Sequence, residues 1–63
     1  MKIILHLVNM EDGLLALRAA KHMRRVEAKP GDIRILEYED GRLFEARRNK
    51  HSISVWRIAG RQP

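Results

Sequence analysis

The sequence predicts an α+β fold: a single β-α-β-β-β domain whose sheet is mainly antiparallel, with one helix packed on one face. Three observations lead there. Only one stretch, Met10 to Glu27, repeats its apolar residues at helical spacing. Four short runs rich in branched and aromatic residues surround it, at 2–8, 32–39, 42–48 and 51–59. The last three are joined by the dipeptides Asp40-Gly41 and Asn49-Lys50, which suit tight turns and therefore antiparallel neighbours.

The first run, KIILHLV (2–8), is almost continuously apolar, which points to a strand covered on much of both faces and not to a free edge. It could be taken for the apolar part of a secretory signal. It is short, however, acids follow it, and there is no small-residue cleavage motif, so a strand is the better expectation. Asn9 is placed to cap the helix, and Asp12 puts a carboxylate near the positive end of its dipole. On a wheel at about 100° per residue, Leu15, Ala16, Ala19, Ala20, Met23 and Val26 gather into an arc of roughly 140°. This is the expected core stripe. Lys29-Pro30-Gly31-Asp32 ends the helix and turns the chain.

Register follows from the turns. Treating Asp40-Gly41 as a two-residue turn sets Glu39 opposite Arg42, Glu37 opposite Phe44 and Ile35 opposite Ala46. Treating Asn49-Lys50 the same way sets Ala46 opposite Ile53 and Phe44 opposite Val55. The expected core face then carries Ile33, Ile35, Phe44, Ala46, Ile53 and Val55. The first strand pairs beside either the second or the fourth. Residues 60–63 are expected to fray.

The other sheet face holds Arg34, Leu36, Tyr38, Leu43, Glu45, Arg47, Ser52, Ser54, Trp56 and Ile58 in this register. One helix covers one side of a sheet, so this face is expected to be open. Of its residues, Arg34, Leu36, Tyr38, Leu43, Arg47 and Trp56 are candidates to bind a partner, because a contiguous apolar patch marks an interface. A second candidate surface is the outer side of the helix, where Leu14, Leu17, Arg18, Lys21, Arg24 and Arg25 mix contact area with charge. It suits a protein partner or phosphates.

Composition narrows the partner. The chain has 63 residues, no cysteine and a net charge of +5. A domain so short has a small core. Without disulfides it suits a reducing, cytoplasmic setting, and association would bury more apolar area. Nine of the thirteen cationic side chains are arginine, whose planar fork matches phosphate and carboxylate. An anionic partner is therefore expected, and no run is long enough for a membrane span. His6, His22 and His51 lie on separate elements without paired spacing, so no metal or cofactor is expected. His51 and Ser52 are strand neighbours pointing to opposite sides, which excludes a simple His–Ser nucleophile. A small ribonuclease toxin would need Arg34, Tyr38, Glu45 and Arg47 to work together.

In size and layout alone, the chain resembles the small single-domain inhibitors that phages direct against bacterial defence systems, some anti-CRISPR proteins among them. No signature residue carries this likeness, so it transfers no site. It implies a non-enzymatic protein that occupies a protein surface or a nucleic-acid channel. The expectation is thus a binding protein that docks on a nucleic-acid-handling protein or nucleoprotein complex. Direct binding to single-stranded or shape-recognised nucleic acid is the alternative, and a homodimer through the open sheet face is compatible with either.

Overall fold

In a computed structural model, which describes residues 1–7 and 9–58, the chain forms an α+β domain. Its elements are β1 (Lys2–His6), a 3₁₀ turn (Met10–Asp12), α1 (Gly13–Arg25), β2 (Ile33–Glu37), β3 (Leu43–Arg48) and β4 (Ser52–Ile58). The expected extension of the first strand to Val8, that of the last to Ala59, and the fraying of residues 60–63 lie outside the described residues. The sheet order is β1-β4-β3-β2. The pairs β2–β3 and β3–β4 are antiparallel, and β1 runs parallel to β4. Of the two places open to the first strand, the one beside β4 is therefore taken. The two edge strands β1 and β2 run the same way, so the segment containing α1 carries the chain from one edge of the sheet to the other.

The helical segment begins where the sequence places it, at Met10, but its first turn is 3₁₀ and α1 itself starts at Gly13. The Glu11 N–H donates to Asn9 Oδ1 at 3.0 Å, which satisfies one of the free donors at a helix start. It ends at Arg25, slightly short of the expected Glu27. There the Ala28 N–H donates to the Met23 carbonyl and the Glu27 N–H to the Arg24 carbonyl, while Glu27 takes a left-handed φ of 53°. This is a Schellman ending, filled by a residue that is not glycine. In the following turn, Lys29 to Asp32, Gly31 has φ 97° after Pro30, as a type II turn requires.

Ala16, Ala19, Ala20 and Met23 of α1 are buried against Phe44, Ala46, Ile53 and Val55, and Ile3, Leu5, Leu7, Leu15, Leu36 and Tyr38 surround them. The three alanines let α1 lie close to the sheet, chiefly over β1, β3 and β4. Val26, expected in the core stripe, follows the end of α1 and is 44% exposed. Two expectations about the sheet also need correction. β1 is an edge strand, and its apolar character on both sides arises differently: Ile3 and Leu5 face the helix, whereas Ile4 contributes to an open sheet face.

The second correction concerns β2. Its hairpin to β3 has a three-residue loop, Glu39-Asp40-Gly41. The Gly41 N–H donates to the Tyr38 carbonyl (2.8 Å) and the Tyr38 N–H to the Arg42 carbonyl (3.0 Å). Gly41 has φ 88° and Asp40 stays at negative φ, whereas a two-residue type I′ loop needs positive φ at both positions. The pairing is consequently Leu36 with Phe44 and Arg34 with Ala46. Every β2 side chain changes face: Arg34, Leu36 and Tyr38 turn to the helix side, while Ile33 and Ile35 are exposed by 44% and 55%. The β3–β4 loop is Lys50-His51, one residue later than expected, since Asn49 pairs with Ser52. That shift pairs Phe44 with Arg57 and Ala46 with Val55 but preserves the faces. A two-residue loop always joins an even position to an odd one, and a three-residue loop does not.

Candidate partner-binding surfaces

The sheet face opposite α1 is uncovered. It carries Ile33, Ile35 and Glu37 from β2, Leu43, Glu45 and Arg47 from β3, Ser54, Trp56 and Ile58 from β4, and Ile4 and His6 from β1. Leu43, Arg47 and Trp56 are on this face as expected. Trp56 is half-buried at its centre and has neighbours on several sides. The Arg47 guanidinium carbon lies 5.3 Å from the indole centroid, and His6 meets the ring edge-on at 5.7 Å. Arg47 also approaches Glu45 at 3.5 Å. A cation over the ring occupies the π face that a nucleobase would need. The remaining apolar area comes from isoleucine and leucine, which suits packing against a protein surface.

Arg34, Leu36 and Tyr38, expected on that face, are on the other. Tyr38 packs edge-to-face on Phe44 at 5.8 Å, and its hydroxyl donates to the Leu15 carbonyl at 3.2 Å. Burial raises the Tyr38 pKa, partly countered by the positive charge of Arg18, so the hydroxyl keeps the proton it donates. The two aromatics that would have formed a stacking platform are therefore on opposite sides of the sheet. The same inversion separates Arg34 and Tyr38 from Glu45 and Arg47, so the four residues of the ribonuclease expectation do not share a site.

Because α1 lies toward β1, β3 and β4, a cleft opens between it and β2. One hollow, of about 300 Å³, is lined by Arg18, Lys21, His22, Arg25, Leu36 and Tyr38. It adjoins a second of about 410 Å³ that shares Arg18 and Tyr38 and reaches Glu39, Asp40 and Arg42 at the β2–β3 loop. The cleft is cationic along the helix, apolar in its floor and mixed in charge near the loop. Asp40 is held by Arg42: the Arg42 Nε donates to Oδ2 at 2.6 Å and the Arg42 N–H to Oδ1 at 3.1 Å. These bonds and the guanidinium charge lower the Asp40 pKa, and the hydrogen bonds to Asp40 and Asp12 with their negative charges raise that of Arg42.

The mixed helix surface thus resolves into parts. Arg18, Lys21 and Arg25 line the cleft, as does His22, which shares their arc on the helix wheel. On the wheel, Leu17 and Arg24 fall on the opposite flank of the core stripe. Leu14 points outward and is 78% exposed. Sequence reasoning also missed Ile33 and Ile35 as surface residues, because their branched side chains and alternation are those of a core strand.

A further cluster sets the cleft's geometry. Asp12, only 1% exposed, accepts from Arg42 Nη1 at 3.0 Å and from Arg57 Nη1 at 3.3 Å. This joins the start of α1 to the beginning of β3 and the end of β4. Among the described residues no group of histidine, aspartate and glutamate is arranged to hold a metal ion, and no helix is long and apolar enough to cross a membrane. Fold and surfaces together define a small α+β domain with an apolar sheet face on one side and a cationic cleft on the other. Compared with known proteins, the chain matches no protein family, no curated protein and no solved structure.

Proposed function

We propose that this chain is a non-enzymatic binding protein that docks on a nucleic-acid-handling protein or nucleoprotein complex, as a phage-type inhibitor such as an anti-CRISPR would. The observation that carries this reading is the separation of its surface chemistry. Apolar side chains around Trp56 occupy the open sheet face, and the cations of the α1–β2 cleft face the other way. Leu43, Trp56, Ile33 and Ile35 would anchor a protein surface, where desolvated aromatics dominate affinity. Arg18, Lys21 and Arg25 would meet anionic groups and mainly raise the association rate. A cysteine-free chain suits the cytoplasm, where such machinery works.

One observation favours direct nucleic-acid binding as a second reading. Arg18, Lys21, His22 and Arg25 recur at helical spacing along one cleft wall, which offers a row of phosphate contacts. Light scattering of the protein with and without a generic oligonucleotide, at low and moderate salt, separates the readings. Protein docking predicts a complex with oligonucleotide only at low salt, because unspecific phosphate contacts weaken steeply as salt rises. Trp56→Ala should leave that complex unchanged. A complex that persists at moderate salt and is lost in Trp56→Ala would overturn protein docking in favour of base recognition. The same measurement reads the mass of the free protein, and a dimer would make a second copy the occupant of the open face.

A further inference from the structure

β2 is an edge strand whose outer side has no neighbour among the described residues. The Tyr38 N–H donates to Arg42 and the Arg48 N–H to Asp32, so the even-numbered residues of β2 bond to β3. In an antiparallel ladder the intervening residues turn outward, which leaves the N–H and C=O groups of Ile33, Ile35 and Glu37 free. Between Ile33 and Glu37 there is no proline or bulge; the strand is short and its one cation, Arg34, is the device that guards this edge.

We infer that this edge is a docking site for an extended acidic segment of a partner protein, which joins the sheet as a fifth strand beside β2. The inference rests on the protein-docking reading and specifies the chemistry of the partner. Successive side chains of an added strand point to opposite faces. Those on the helix side meet Arg34 on β2 and Arg18, Lys21 and Arg25 across the cleft, so acids are favoured there. Those on the other side lie against Ile33 and Ile35, which are 44% and 55% exposed, so apolar residues are favoured there. The matching ligand alternates acidic and apolar residues. Main-chain hydrogen bonds supply affinity and the alternating side chains supply selection, as in other cases of strand addition. Glu39 and Asp40 at the loop end of the cleft confine the favourable acids to the half nearer Ile33.

Charge also distinguishes this occupant from a second copy. Two β2 strands paired with each other would bring two Arg34 side chains and two cationic clefts together, and like charges across a strand pair are unfavourable. The residue that guards the edge against self-association attracts an acidic strand.

The test is amide hydrogen exchange by NMR on the intact protein, with a short peptide alternating glutamate and valine. A peptide of the same composition with its acids and valines in separate blocks serves as control. The alternating peptide should slow exchange at Ile33, Ile35 and Glu37, and the block peptide should not. Arg18→Ala with Arg25→Ala should weaken binding about fivefold, as the loss of two partly solvated ion pairs implies. Ile35→Pro should abolish it, because the Ile35 N–H makes no bond within the sheet and proline is tolerated at such edge positions. Should Ile35→Pro disturb folding, a peptide N-methylated at the amides facing β2 makes the same test. Equal binding by both peptides, or binding that leaves the three amides unprotected, would overturn the inference. Protection by an oligonucleotide and not by the peptide would overturn it too, and would assign the cleft to phosphates. Docking that depends on Trp56 would survive any of these failures, because Trp56 is on β4, which β3 separates from the β2 edge.

Discussion

Replacing Asp12 by alanine tests what holds this small domain together. Its carboxylate is 1% exposed and accepts from Arg42 at 3.0 Å and Arg57 at 3.3 Å. Removing one partner of a fully buried ion pair costs about 3–5 kcal/mol, because the surviving charge is stranded. Here the surviving charges are not fully stranded: the Arg42 and Arg57 side chains are 25% and 40% exposed, and Arg42 keeps Asp40. The expected loss for Asp12→Ala is therefore lower, about 2 kcal/mol. A core of this size supplies roughly 3–5 kcal/mol, so the variant would lose about half its stability and roughly 8–16 °C in Tm. Urea unfolding followed by Trp56 fluorescence and by circular dichroism measures it. The loss should persist at high salt, since a buried pair is little screened. A loss below about 0.5 kcal/mol, the range of an ordinary surface substitution, would refute the reasoning and make the cluster incidental to stability.

Three further outcomes are expected. Glu27→Gly should stabilise the domain by about 0.5–1 kcal/mol in the same unfolding assay, because glycine relieves the left-handed φ at the helix end. Gly41→Ala should destabilise it by about 1 kcal/mol, since the side chain is disfavoured at φ 88°; a neutral result would mean that the loop relaxes to another turn. Asp40 adds an acid dependence. Its pKa is lowered by the Arg42 hydrogen bonds, so its contribution is complete above the ordinary carboxylate range and is lost as pH falls through the lowered value. Urea midpoints measured against pH should show the native protein and Asp40→Asn converging in acid, and a constant gap would sink that assignment.

The sequence made the elements legible because each carries its own local signal. The alanines and Met23 recur at helical spacing and are buried as that spacing implies, and Asn9 caps where a capping side chain is expected. The faces of β3 and β4 were equally legible, even though their turn lies one residue later than Asn49-Lys50 suggests. Moving a two-residue loop changes which residues are opposed without changing which side they point to. The faces of β2 were not legible, because IRILE reads as a core strand in either orientation: Ile33 and Ile35 make one apolar side, Leu36 and Tyr38 the other. Only the parity of the Glu39–Gly41 loop decides between them, and both a two-residue and a three-residue loop accept Asp-Gly. That single residue governs the make-up of both candidate surfaces. It withdraws Tyr38 from the open face to close the core beside Leu15, and leaves two isoleucines exposed on a free edge. It also turns Arg34 to the face of the sheet over which Arg18, Lys21 and Arg25 lie. Cations that look dispersed along the chain are gathered on one side of one edge strand, while the apolar residues of that strand face the other way.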